Sequence, residues 1–268
     1  MTLATRVLPP LRGSRRSRAE RLIERNVMVY RRTWLVLVSG FFEPLFYLLG
    51  IGFGLGALIG SVPGPNGEQI PYGVFVAPGL LATSAMNGAI YESTFNVFFK
   101  LRYAKTYDAI LSTPLGIRDV AAGEVGWSLI RGGLYAVGFL VVILVLGLAR
   151  SPLAILCVPG ALLIGFAFAS VGMAATTWIR SWQDFDFIVV VTLPLFLFSA
   201  TFYPITAYPE PIRTLVTLSP LYQGVSLLRQ LTTGAIDPSI VVNVVYLTVL
   251  GMVGIVVVAR RLDRLLLK

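Results

Sequence analysis

"NVFFKLRYAKTYDAILSTPLG", residues 96–116, interrupts a chain that is otherwise mostly apolar, and it does so with charges, aromatic rings and a helical rhythm. With Arg102 set at 0° and about 100° allowed per residue, Ile110, Tyr103, Tyr107, Leu111 and Ala104 share one arc. Asp108, Ser112, Lys105, Arg102 and Thr106 occupy the remainder with Ala109. The spacing predicts a two-faced helix over 101–112, ended by the "TPLG" of 113–116, with Arg102, Lys105 and Asp108 turned to solvent and the other face resting on a membrane domain. Periodicity alone reads equally well as an interfacial connector.

The rest of the chain supplies that membrane domain. Of its 268 residues 56% are hydrophobic and 13% charged, and the mean hydropathy is +0.80, outside the range of an ordinary soluble domain. Runs long enough to cross about 30 Å of hydrocarbon fall near 34–57, 74–99, 120–148, 153–179, 186–204 and 239–259. The expected fold is an all-α integral membrane protein with six transmembrane helices in a domain spanning 33–268. Cys157 is the single cysteine and histidine is absent, so an intrachain disulfide and a histidine-ligated zinc site are excluded. No metal site is expected. The first apolar run is too long for a signal core and is read as retained.

Basic residues mark one side of this domain. Nine arginines precede the first run, Lys100, Arg102, Lys105 and Arg118 flank the second turnaround, Arg180 follows the fourth run, and Arg260, Arg261, Arg264 and Lys268 close the chain. Only Arg150, Arg213 and Arg229 fall on the other side, and Arg131 lies within a run. The positive-inside rule then places both termini in the cytoplasm. No nucleic-acid partner is expected, because the arginines border membrane runs and no binding module accompanies them.

Residues 1–18 are rich in Arg, Pro, Gly and Ser and read as a disordered basic tail. From 19 to 32 the pattern is that of an amphipathic helix lying in the interface, either as a polybasic anchor on membrane lipids or as a grip for a partner. Gly50, Gly52, Gly54, Gly56 and Gly60 include GxxxG pairs suited to close helix packing. Glu43, Glu92 and Arg131 sit inside apolar runs, where each costs about 2.5–3.5 kcal/mol or more if it faces lipid. Pairing of Arg131 with Glu43 or Glu92 is expected, as a structural bridge or as part of a substrate path. Residues 202–238 are too punctuated by Pro204, Pro209, Pro211 and Pro220 to span and too apolar for a solvated loop, so two short helices dipping into the outer leaflet are expected there, as a lid or as plain packing. Phe202, Tyr203, Tyr208 and Tyr222 are its candidate gate or interface-belt residues.

Three stretches, "FVAPGLLATSAMNGAIYESTFNVFFKLRYAKTYDAILSTPLGIRDVAAGE" (75–124), "EPLFYLLGIGFGLG" (43–56) and "SPLYQGVSLLRQLTTG" (219–234), carry a resemblance. They closely resemble the type-2 ABC exporter permeases, in the branch named for export of rhizobial nodulation lipo-oligosaccharides, with daunorubicin-exporter permeases more distant. The resemblance runs from about Tyr30 to the C-terminus. It implies a bacterial inner-membrane permease that pairs with a second permease copy and binds two copies of a separate ATPase. It further implies that 101–112 is the coupling helix, with Arg102, Tyr103, Lys105, Tyr107 and Asp108 as the ATPase-coupling residues, that 19–32 is the connecting helix, and that 205–235 is the extracellular re-entrant hairpin. ATP and magnesium would reside on the ATPase, with no cofactor in this chain. The long arginine-rich extension departs from the pattern.

A phosphate-binding G-x-x-x-x-G-K-[ST] motif is absent from the sequence, as is any Gly-Lys pair, so the chain is not expected to hydrolyse ATP. An ion-coupled secondary transporter would place its sites on Glu43 and Glu92, but inverted repeats are not visible. A membrane-embedded enzyme has only Asp184 and Asp186 as a close acidic pair, and these read as helix-start charges. A lipo-oligosaccharide or glycolipid is the expected substrate by family analogy, with a hydrophobic drug as the runner-up.

Overall fold

The computed structural model describes residues 15–32, 42–65 and 67–266. Residues 1–14 of the expected tail and 34–41 of the first expected span lie outside that range. Among the described residues five helices are long and apolar enough to cross a membrane. They are α2 (Phe42–Ile59), α3 (Tyr72–Tyr103), α5 (Ile117–Val145), α6 (Pro152–Thr176) and α10 (Ser239–Leu266). A short antiparallel hairpin, β1 (Ser61–Pro63) with β2 (Gln69–Pro71), links α2 to α3.

Helix α6 is the hub, flanked by α3, α5, α10 and the later helix α9 (Pro220–Thr233). Small residues set these crossings. A Cβ on Gly254 would stand 2.7 Å from Ser170 Cβ and 2.8 Å from the Ser170 carbonyl carbon, and one on Gly172 would stand 2.4 Å from Ser93 Oγ. Only glycine lets the backbones approach so closely. Along the glycine run of α2, Gly50 has nothing within 4 Å, whereas a Cβ on Gly56 would stand 3.5 Å from the Tyr72 ring and one on Gly73 would stand 3.7 Å from the Gly52 carbonyl.

Helix α1 (Arg15–Arg32) begins inside the expected tail, four residues ahead of the expected start, and lies along α5. Among its described side chains Leu22 and Asn26 are buried, Ile23 sits over Gly126, and Arg21, Glu24, Arg25 and Arg31 are exposed. Val27 is exposed as well.

The helix expected over 101–112 is divided. Helix α3 runs on to Tyr103, with π-helical turns at Glu92–Asn96 and Phe99–Tyr103, and a separate helix α4 covers Thr106–Leu111. Between them Lys105 adopts φ 44° and ψ 32°, a left-handed residue that no helix carries through. Lys105→Gly is therefore expected to keep or raise thermal stability in detergent. Lys105→Pro, whose ring fixes φ near −65°, should lower stability by about 2–3 kcal/mol. A proline variant as stable as the parent would show that the chain does not turn left-handed there.

The run expected to span at 186–204 forms only the thirteen-residue α7 (Phe185–Leu197), about 20 Å long. Pro194 removes a donor near its end, and at Ala200 the chain takes φ 54°. Two helices occupy the stretch 205–235, α8 (Glu210–Leu218) and α9, separated where Ser219 is held extended by the following Pro220. Gly234, at φ 81°, ends α9 with a left-handed cap. The two legs differ: α8 exposes Leu215 and Leu218, whereas α9 is almost wholly buried among α3, α6 and α10.

Candidate functional site

Arg131, on the inward face of α5, forms an ion pair through Nη1 with Oε2 of Glu92 on α3, both side chains being buried. Its Nε donates to the Tyr135 hydroxyl one turn on, at 3.0 Å, and Asn96 Nδ2 donates to the same Glu92 oxygen at 2.7 Å. Two opposite charges that would each be costly in hydrocarbon are thus satisfied by one another and by neutral donors and acceptors. Glu43 is exposed on α2 and belongs to a different position: it lines the far wall of a cleft that Arg131 also lines.

That cleft, about 460 Å³, lies between α2, α3, α5 and α7. Its polar walls are Thr83, Ser84, Asn87 and Thr192 with Glu43 and Arg131, and Tyr91 stacks on Phe95 at its rim with ring centroids 5.1 Å apart. A second cleft of about 730 Å³ runs between α3, α6, α7 and α10, and is lined mainly by apolar groups such as Phe168, Val171, Phe187 and Leu250. Ile90, Ile188 and Thr192 line both, so the polar and apolar spaces adjoin along α7.

Below the charged pair the α1 end of the bundle carries a second cluster. Lys100 Nζ on α3 is 2.7 Å from Oε2 of Glu124 on α5, whose side chain is 3% exposed. Tyr107 of α4 is 1% exposed, so it turns into this cluster, away from solvent. Burial, with the Glu124 carboxylate beside it, holds the Tyr107 hydroxyl well above the usual phenol range. Arg102, Lys105 and Asp108 are exposed. Tyr103 does not share the apolar face with Tyr107: it is exposed and lies against Trp182, centroids 5.6 Å apart, in an aromatic cluster with Phe98 and Phe185. Asp184 caps the turn that starts α7, its carboxyl held below the usual range by the backbone N–H groups of Arg180 and Ser181. Asp186 sits in the first turn of α7.

At the opposite end three of the four aromatic gate candidates gather around the end of α7. Phe202 packs edge-on against Phe196 at 5.1 Å and accepts the Tyr72 hydroxyl on its carbonyl at 3.2 Å. Tyr208 donates to the Leu197 carbonyl at 3.3 Å, and Tyr203 is exposed. Tyr222 stands apart, half-buried on α9.

Sequence reasoning passed over Lys100, Glu124 and Arg229 as site residues. Buried Arg229 on α9 donates from Nε to the Phe75 carbonyl at 3.2 Å and from Nη2 to the Ala200 carbonyl at 2.8 Å, with its guanidinium 3.8 Å above the Phe75 ring. It ties α9 to the start of α3 and to the left-handed turn after α7. The available signal was a lone arginine enclosed by leucines in "SLLRQL", an expensive charge with no exposed face to occupy.

Residues 19–232 match the ABC-2 type transporter family. The chain is 32% identical to Nodulation protein J of Sinorhizobium fredii over 207 residues, 76% of this chain and 77% of that protein. It is also 32% identical to Nodulation protein J of Rhizobium leguminosarum bv. trifolii, over 78% of this chain and 79% of that one. The inner membrane transport permease YadH of Escherichia coli is 24% identical over 86% of each chain.

Proposed function

The chain belongs to the ABC-2 type transporter family and is a membrane permease, and from that premise we propose that it carries an amphipathic lipid with a sugar headgroup across the bacterial inner membrane. ATP and magnesium act on a separate ATPase, two copies of which serve a pair of permeases. The observation that carries the substrate class is the pair of adjoining clefts. One offers hydroxyls, an amide and a stacked Tyr91–Phe95 platform; the other offers a larger apolar space, and both share α7 as a wall.

The same premise supports six crossings with both termini in the cytoplasm. Phe185, at the start of α7, packs on Phe95 and Phe98 near the α1 end, whereas Ala200, just beyond α7, is held by Arg229 beside Phe75 at the start of α3. Short as it is, α7 with the turn after it runs from one end of the bundle to the other. Helix α10 then returns to the α1 end, where Arg261 stacks 4.4 Å above Trp178. The exposed Arg102, Lys105, Arg180 and Arg260 belong to this same end, as the positive-inside rule requires of a cytoplasmic face. The α8–α9 hairpin and the aromatics at 202–208 then form the extracellular side as a re-entrant cover.

The test is ATP hydrolysis by the co-purifying ATPase in bilayers with and without this chain, titrated with a purified lipo-oligosaccharide and, in parallel, with daunorubicin. Hydrolysis that depends on the chain and rises with the lipo-oligosaccharide is the expected result. A response to daunorubicin alone would favour the drug-efflux reading, which the greater volume of the apolar cleft supports. Transport that follows a proton or sodium gradient with no ATPase present would overturn both.

A further inference from the structure

Helices α3 and α5 are joined by two ion pairs of opposite polarity. Glu92 on α3 meets Arg131 on α5, and Lys100 on α3 meets Glu124 on α5. Each helix therefore carries one acid and one base about two turns apart. Sliding one helix past the other by that distance would set like charges face to face, so the pattern fixes a single register. It also makes any shear between the two helices costly, since both pairs are buried or nearly so.

Tyr107 is the one α4 side chain, among those described, that combines a polar tip with full burial at the lower of these pairs. The Glu124 carboxylate lies beside its hydroxyl, near enough to act on it both by charge and as an acceptor, while Lys100 occupies Oε2. A phenol hydroxyl and a carboxylate oxygen buried side by side are complementary groups, and since neither has a different partner among the described residues, parting them is unfavourable. The exposed Arg102, Lys105 and Asp108 are then free to meet a partner while Tyr107 faces inward.

We propose that Tyr107, Glu124 and Lys100 form the joint that passes movement of α4 into α3 and α5 as one rigid body, which carries the upper pair and the polar cleft with it. Tyr107 and Glu124 are positioning residues: neither lines the cleft, and both act through the Lys100 pair on its walls. The inference rests on the permease reading, since it supplies a route for force that a separate ATPase must generate.

The chain's single cysteine, Cys157, is buried, so a Ser84→Cys variant takes an environment-sensitive fluorophore on the cleft wall without a competing exposed thiol. The complete complex with its ATPase, in bilayers, is trapped with ATP, magnesium and vanadate, and the fluorescence change at residue 84 is read. Tyr107→Phe removes one oxygen, and Glu124→Asp keeps the charge and shortens its reach. Each is expected to reduce the change about three-fold or more, as loss of one hydrogen bond at the joint would. The double variant should be no worse than the weaker single one, because both break the same link. A full change in Tyr107→Phe, or independent and multiplying losses in the double variant, would overturn the joint while leaving the permease reading intact. Absence of any ATP-dependent change in the parent complex would instead overturn the permease reading, and the joint with it.

Discussion

Most of the folded protein should be lost from the membrane when Arg131 is replaced by methionine. The substitution removes the cation that the buried Glu92 carboxylate meets across the helix pair, leaving the Asn96 amide donating to it. Breaking a buried pair from one side costs about 3–5 kcal/mol, enough to unfold a marginally stable domain. Arg131→Glu should be worse, placing two carboxylates together. The exchange Glu92→Arg with Arg131→Glu restores opposite charges and is expected to recover part of the loss. Thermal unfolding in detergent, together with the amount of protein extracted from membranes, measures both. A methionine variant that melts with the parent would remove the pair from the list of features that hold α3 to α5.

Arg229→Met has the second largest expected effect. It withdraws the donors from the carbonyls of Phe75 and Ala200 and the cation from the face of the Phe75 ring. Hydrogen bonds to a charged donor contribute about 1.5–3 kcal/mol each, so a loss of roughly 3 kcal/mol is expected. Arg229→Lys should recover little, because a point charge cannot reach two carbonyls and lie flat on a ring at once. The damage should be local before it is global. Ala200 is held at a positive φ that alanine disfavours, and once its carbonyl is released the segment 198–208, with the exposed Tyr203, should become the first site cut in limited proteolysis. Unchanged proteolysis and melting would show that packing alone maintains the turn.

The long helices were legible because their apolar runs are long and their charges lie at the ends; α3, α5, α6 and α10 fall close to where hydropathy places them. The family resemblance was legible for a related reason, since the fifty residues from Phe75 to Glu124 contain nearly all of one span, the turnaround and the start of the next. What could not be read was anything that depends on rotation about a helix axis. The wheel over 101–112 put Tyr103 and Tyr107 together, but a wheel assumes that every residue turns the chain equally, and Lys105 does not. Lys100 reads as a charge flanking a membrane boundary, where solvated ones also stand, and no spacing singles out Glu124. Only the crossing of α3 and α5 brings them within 2.7 Å. Helix α7 read as a full span because its composition remains apolar past Leu197, whereas the backbone leaves the helix there.

The π-helical turn at Glu92–Asn96 bears on the two ion pairs in a way that hydropathy cannot reveal. On α5 the paired residues, Glu124 and Arg131, are seven apart, which at about 100° per residue returns to nearly the same azimuth. On α3 their partners, Glu92 and Lys100, are eight apart, and an unbroken α-helix would leave them about 80° out of phase. A π-turn closes its hydrogen bonds one residue later than an α-turn and so absorbs a residue without advancing the phase. Eight positions on α3 thereby match seven on α5. The widened turn acts as a one-residue phase correction between the two paired positions on α3, and the second π-helical turn, at Phe99–Tyr103, adds its own before the chain leads into α4.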